Sequence, residues 1–170
     1  MVLSDMWLSL EPLGFHGYEI SNWGQVRNTL SGDLLSTSAN QSGTVYVGLT
    51  PPEGGQVKRS VASLVAKMFL DEEVGPNDNI IHLNGDRSLN AVTNLAVRPG
   101  WFAKQYHRQF ESAHPRILAP IREFFTDEWF ANSWAACMKY GLLDKDVLLS
   151  VVDATTVWPT GQMFVFAETP

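Results

Sequence analysis

Two spacings of apolar residues follow one another along the chain. Between Tyr18 and Leu49 apolar and polar positions alternate in short runs. These are YEI at Tyr18–Ile20, a turn at Asn22–Gly24, then QVRN, and TVYVGL at Thr44–Leu49. Alternation with β-branched residues predicts strands, and PPEGG (Pro51–Gly55) predicts a loop. Within VKRSVASLVAKMFL the period lengthens. Val61, Leu64, Val65, Met68 and Phe69 recur at i, i+3, i+4, i+7 and i+8, which predicts a helix. DEEVGPND ends it. NIIHLNGD reads as a short strand running into a glycine turn, and NAVTNLAV as the stretch that returns. WFAKQYHRQF is helical in pattern. EFFTDEWFANSWAACMKYG predicts a helix closed by Gly141 with Asp127 as its N-cap, DKDVLLSVV a second helix, and QMFVFA a strand. Helix, glycine turn, helix is the outline of a helix-turn-helix. The class expected is α+β, with a β-rich module over residues 1–55, a mixed core over 56–111, a connector over 112–126 and a helix-turn-helix module over 127–170.

Composition narrows the chemistry. The 170 residues are 45% hydrophobic and 11% aromatic, enough for a packed core. Lysine plus arginine is 12 and aspartate plus glutamate 18, a net charge of −6. Bulk electrostatics do not draw such a chain to DNA, so a DNA contact needs a local basic surface or a bound cation. The charge is −2 over residues 1–110 and −4 over 111–170. Basic residues gather at Lys58 and Arg59, with Lys67 beyond, and thinly at Arg98, Lys104, His107 and Arg108, expected on one helix. The second helix of the helix-turn-helix outline begins Asp144, Lys145, Asp146. A recognition helix turns its N-terminal residues to DNA, and two carboxylates there repel the phosphates.

The single cysteine, Cys137, excludes an intramolecular disulfide and four-cysteine zinc sites, and fits a reducing compartment. Among Trp134, Ala135, Ala136 and Met138 it reads as a packed helix residue. MVLSDMWLSLEP lacks the features of a signal peptide, and no run approaches the ~18 apolar residues of a membrane span. Six tryptophans suit core filling, base stacking or a protein–protein interface. His16 and His114 read as surface residues.

The chemically informative stretch is Asn79–Leu95, NIIHLNGDRSLNAVTNL. A histidine ends a strand, a glycine-bearing turn follows, and asparagines stand 8 and 12 positions on. Asn94 is expected to bond the turn and fix His82. Histidine titrates near neutrality and can act as a general base on water.

These residues resemble the HNH endonucleases of the phage and intron-associated homing type. GFHGYEISNWGQVRN (Gly14–Asn28) is similar to the N-terminal module of that group, VASLVAKMFL (Val61–Leu70) to its helix, NIIHLNGDRSLNAVTNLAV to its nuclease core, and the segment from WFANSWAACMKYG onward to its helix-turn-helix. The three modules stand in the family's order over nearly the whole chain. The resemblance implies a ββα-metal core over 56–111, in which a histidine activates water and a Mg or Mn ion stabilises the phosphorane and the leaving oxygen. The base then falls on His82, the structural asparagine on Asn94, and a further family asparagine on Asn90. Lys58, Arg59, Arg98, Lys104 and Arg108 are the candidate phosphate contacts.

The departures from the family pattern are as informative. The ligand position before the base is Ile81, and the second, on the following helix, falls near Ala103; neither side chain coordinates a hard cation. The aspartate after the base is Asn84, with Asp86 two residues on, and the histidine of the first helix is Ala62. His107 and Asn84 remain as weak metal candidates. The resemblance therefore implies a divergent HNH protein that has lost most metal-dependent cleavage and is kept as a binding module for DNA. The alternatives are a phage accessory or virion protein that binds a phage or host protein, and an active nuclease with unconventional ligands. By the family's habit the source is viral, which puts the protein in the host-cell cytoplasm or the virion, away from membranes.

Overall fold

Each alternating segment finds its partner close by in sequence. The computed structural model describes residues 4–112 and 114–168, in two units, Met1–Gly100 and Trp101–Pro170. In the first unit β1 (Trp7–Ser9), β2 (Tyr18–Ser21) and β3 (Val26–Asn28) form one antiparallel sheet in that order, and β4 (Thr37–Ala39), β5 (Val45–Leu49) and β6 (Val57–Ser60) form a second. Helix α1 (Val61–Phe69) follows β6 without a loop. Ser60 caps it, its Oγ accepting the Ser63 N–H at 3.4 Å. β7 (Asp78–His82) and β8 (Leu95–Pro99) then pair antiparallel, with His82 opposite Leu95 and Ile81 opposite Ala96.

The core of this unit lies under α1. Val61, Leu64 and Val65 are buried against Ile20, Val26, Val47, Leu49 and Leu95. Burial of each such side chain contributes roughly 1.5–3 kcal/mol. Ala62, where the family keeps a histidine, is packed at 4% exposure.

The second unit holds α2 (Gly100–Gln109) from Trp101 onward, β9 (Ile121–Glu123), β10 (Trp129–Phe130), α3 (Ser133–Tyr140), α4 (Asp144–Asp153) and β11 (Phe164–Phe166). Its sheet runs β10-β9-β11, all antiparallel. Helix α2 is bonded to the rest of this unit. The Tyr106 hydroxyl donates to the Cys137 carbonyl at 3.3 Å, and Gln109 Nε2 to the Leu142 carbonyl at 3.1 Å. Gly141 closes α3 with a left-handed φ of 64° and donates to the Cys137 carbonyl at 2.8 Å, a glycine C-cap. Cys137 is buried, and burial followed by the nearby Asp144 pushes its thiol pKa up. Among the described residues no helix is long and apolar enough to cross a membrane.

One expectation fails here. The segment EFFTDEWF is a hairpin between β9 and β10, and α3 begins only at Ser133, capped by Asn132 rather than Asp127. Asp127 sits at φ 61° in the hairpin turn. The cause is Glu123, which is 1% exposed. Its Oε2 accepts from Thr126 N (2.7 Å), Thr126 Oγ1 (2.8 Å) and Phe125 N (2.9 Å), and its Oε1 from Met163 N (3.2 Å). A carboxylate that gathers the turn's N–H groups outweighs the helical apolar spacing. Burial pushes the Glu123 pKa up, but these bonds outweigh it and hold the group below the ordinary carboxylate value.

Glu123→Ala is therefore expected to cost about 3 kcal/mol, because it strands several donors in and beside the turn. Glu123 contributes stability above the ordinary carboxylate pKa, and that share is lost as the pH falls through its lowered folded value. Urea midpoints measured from pH 7 to pH 3 should fall more steeply for the wild type than for the variant.

Candidate functional site

The loop from His82 to Leu95 is organised by three asparagines, each with its own task. Asn94 is 8% exposed. Its Oδ1 accepts the Asn84 N–H at 3.1 Å, and its Nδ2 donates to Asn84 Oδ1 and to the Leu89 carbonyl, both at 2.9 Å. Asn94 thus closes the loop, as expected of it. It does not hold the histidine. That task falls to Asn90, whose Oδ1 lies 2.9 Å from His82 Nε2, while its Nδ2 donates to the Ser88 carbonyl at 3.2 Å. The second bond sets the direction of the amide, so Oδ1 is the acceptor and His82 Nε2 carries the proton. Nδ1 is then the ring nitrogen with the lone pair.

The N-terminal module explains why Asn90 stays in place. At Gly24, where φ is +86°, an added Cβ would stand 2.8 Å from the Asn90 Cβ and 3.2 Å from its carbonyl oxygen. Only a glycine permits both that conformation and that approach. Asn22, two residues before, accepts the Val92 N–H on its carbonyl at 2.8 Å, and its Oδ1 accepts the Met6 N–H at 3.0 Å. Ser21, fully buried, takes the Trp23 and Gln25 N–H groups on its Oγ. The S-N-x-G run is therefore a clasp on the histidine loop. Its dependence on Asn90 was not visible in the sequence.

His82 is 4% exposed. Burial lowers its pKa below the ordinary histidine value; the Asn90 bond raises it, Arg87 lowers it and Asp86 raises it, and burial dominates. The ring is neutral at pH 7, the state of a proton acceptor.

The donor set beside it does not fit a hard divalent cation. Ile81 is 0% exposed and belongs to the core. Asn84 Oδ1 already accepts from Asn94 and from the Asp86 N–H at 2.9 Å. Asp86 Oδ1 takes the Ser88 N–H at 2.9 Å and its hydroxyl at 2.6 Å, and these bonds hold the Asp86 pKa down. Among the described residues no three of His, Cys, Asp and Glu converge to grip an ion. His107 and Ala103 stand on α2 in the second unit, where Ala103 is buried.

The expected phosphate contacts fall on three elements, β6, β8 and α2. Lys58 and Arg59 lie exposed on β6, with the Arg59 guanidinium 5.5 Å from the centre of the Phe15 ring. Arg98 is a correction: it lies on β8 instead of a helix and is 6% exposed, with Nη1 donating to the Val97 carbonyl at 2.7 Å. A buried guanidinium so engaged is not a surface contact. Lys104 and Arg108 are exposed on α2. Asp144, expected to repel DNA, is turned inward at 4% exposure and accepts the Arg116 N–H at 2.8 Å.

The neutral, buried state of His82 has a measurable sign. Below its ordinary pKa of ~6.5 the unfolded chain binds a proton that the folded chain refuses, so stability falls as the pH drops through that value. The slope is at most about 1.4 kcal/mol per pH unit for this one group. In urea unfolding at pH 7.5, 6.5 and 5.5, the gap between wild type and His82→Gln should narrow with acid.

No family model matches the chain. An uncharacterised HNH endonuclease of Acanthamoeba polyphaga mimivirus is 32% identical over 93 residues, which are 54% of this chain and 23% of that protein. The match thus spans about a quarter of the relative's length. The solved structure of the HNH homing endonuclease I-HmuI, described by its DNA binding and cleavage, shares the fold at a TM-score of 0.55 and 19% identity, over 97% of this chain and 99% of that one. The chain is thus similar over about half its length to an HNH endonuclease and shares the fold of an HNH homing endonuclease.

Proposed function

We propose that this protein is a divergent HNH-fold DNA-binding protein whose metal-dependent phosphodiester cleavage is lost or much weakened. The observation that carries the reading is the contrast around one residue. His82 keeps a bonded, neutral imidazole on a braced loop, while the residue before it, Ile81, is fully buried hydrocarbon. In this reading His82 is the remnant general base, Asn90 fixes its tautomer and Asn94 holds its loop. All three are positions the family pattern supplies. A bound cation would supply charge stabilisation at the phosphate. Without that stabilisation several kcal/mol of transition-state binding disappear, which is thousands-fold in rate.

DNA as the partner is supported by the likeness to I-HmuI and by the cations exposed on α2 and β6. The local basic surfaces are small against a net charge of −6. Affinity is expected to be modest and to fall steeply with salt.

The test is plasmid cleavage in Mg or Mn, with and without chelator, beside His82→Ala. The expected result is no cleavage by wild type above the His82→Ala background. Cleavage abolished by both the chelator and the substitution would overturn the loss of activity. In parallel, a labelled duplex should shift at low salt and release at moderate salt; no shift at low salt would remove DNA as the partner.

A further inference from the structure

The second unit contains a cleft of about 720 Å³. Its wall brings together Arg108 from α2, Arg116 from the connector and Lys145 from the first turn of α4, with Trp134 of α3 beside them. Three cations in one concavity are a marked concentration in a chain with 12 basic residues and a net charge of −6. The carboxylate in the lining, Asp144, is 4% exposed. It takes the Arg116 N–H at 2.8 Å and stands 4.0 Å from Arg116 Nε, so it cancels one charge and leaves an excess of cations.

The cleft has a fixed frame. Gln109 spans from α2 to the turn before α4, accepting the Asp144 N–H at 3.0 Å and donating to the Leu142 carbonyl at 3.1 Å. Gln105 Oε1 accepts from Lys145 Nζ at 3.1 Å, across the cleft wall. The Trp134 indole is steadied by Phe110 in an edge contact, ring centres 5.0 Å apart. A rigid aromatic surface next to clustered cations, in a volume of small-molecule size, is the combination that recognises a base and its phosphate together. A base inside a duplex is stacked on its neighbours and cannot offer its face to an indole in a cleft, whereas an unpaired one can.

We propose that this cleft is a pocket for an unpaired nucleotide of single-stranded nucleic acid, with the base on Trp134 and the phosphate between Arg108, Arg116 and Lys145. The inference rests on the nucleic-acid part of the proposed function and is separate from the chemistry at His82.

The experiment is fluorescence anisotropy of a short fluorescein-labelled oligothymidylate with the full chain, in chelator so that no cleavage intervenes. Oligothymidylate should bind, and unlabelled oligothymidylate should compete better than a duplex of the same length. Thymidine monophosphate should compete better than inorganic phosphate. Trp134→Leu should weaken binding about tenfold with an unchanged salt dependence. Lys145→Ala and Arg116→Ala should each weaken it and lower the slope of log affinity against log salt by about 0.7. Lys145 is exposed, so its variant carries the test if Trp134→Leu fails to fold by circular dichroism. Equal competition by inorganic phosphate, or binding insensitive to Lys145→Ala and Arg116→Ala, would overturn the pocket. Duplex binding without single-strand binding would overturn the pocket alone, and failure of both would also remove the DNA-binding reading.

Discussion

A single amide that can face only one way governs the histidine loop. Asn90 is buried between His82 and the Ser88 carbonyl, accepting from the imidazole and donating to the carbonyl. Reversing it would set two donors against each other and two acceptors against each other. A buried N–H without a partner costs about 1–3 kcal/mol, so the orientation is strongly set. That orientation fixes the tautomer of His82, and burial keeps the ring neutral. The Asn94 lock on the loop and the Gly24 approach from the N-terminal hairpin keep Asn90 where it is.

The same burial works against a cation. Ile81, the residue next to the histidine, is fully buried and contributes roughly 1.5–3 kcal/mol by burial. A carboxylate at that depth would be costly without an ion to pair with. The position can serve the packing of the unit or the binding of a metal, and here it serves packing. Asn84 shows the same economy, because its side-chain oxygen is consumed in holding the loop together.

Charge is arranged on the same local principle. The net charge is −6, yet Arg108, Arg116 and Lys145 meet in one concavity while Asp144 is drawn inward to accept a backbone N–H. Glu123 is likewise spent inside, on the hairpin turn. Carboxylates that count towards the net charge can be committed to backbone donors, so the sum over a chain is a poor guide to any one surface.

The sequence by itself determined β2, β3, β5 and the β7–β8 pair, α1 with its five apolar positions, Gly141 as the end of a helix, and the asparagine-rich histidine loop. Each of these is written in contacts between residues close in sequence, where period and turn chemistry are read directly. The hairpin at Glu123 was missed because a buried carboxylate reaching to Met163, forty residues on, outweighs the local pattern. Arg98 was misplaced because the strand extends to Pro99, so the helix expected to carry it starts only at Gly100. Tertiary structure alone decided that Asn90 rather than Asn94 holds the histidine, that Asp144 turns inward, and that three scattered cations share a cleft. These depend on the direction in which a side chain points once distant segments have packed, and no spacing along the chain encodes that direction.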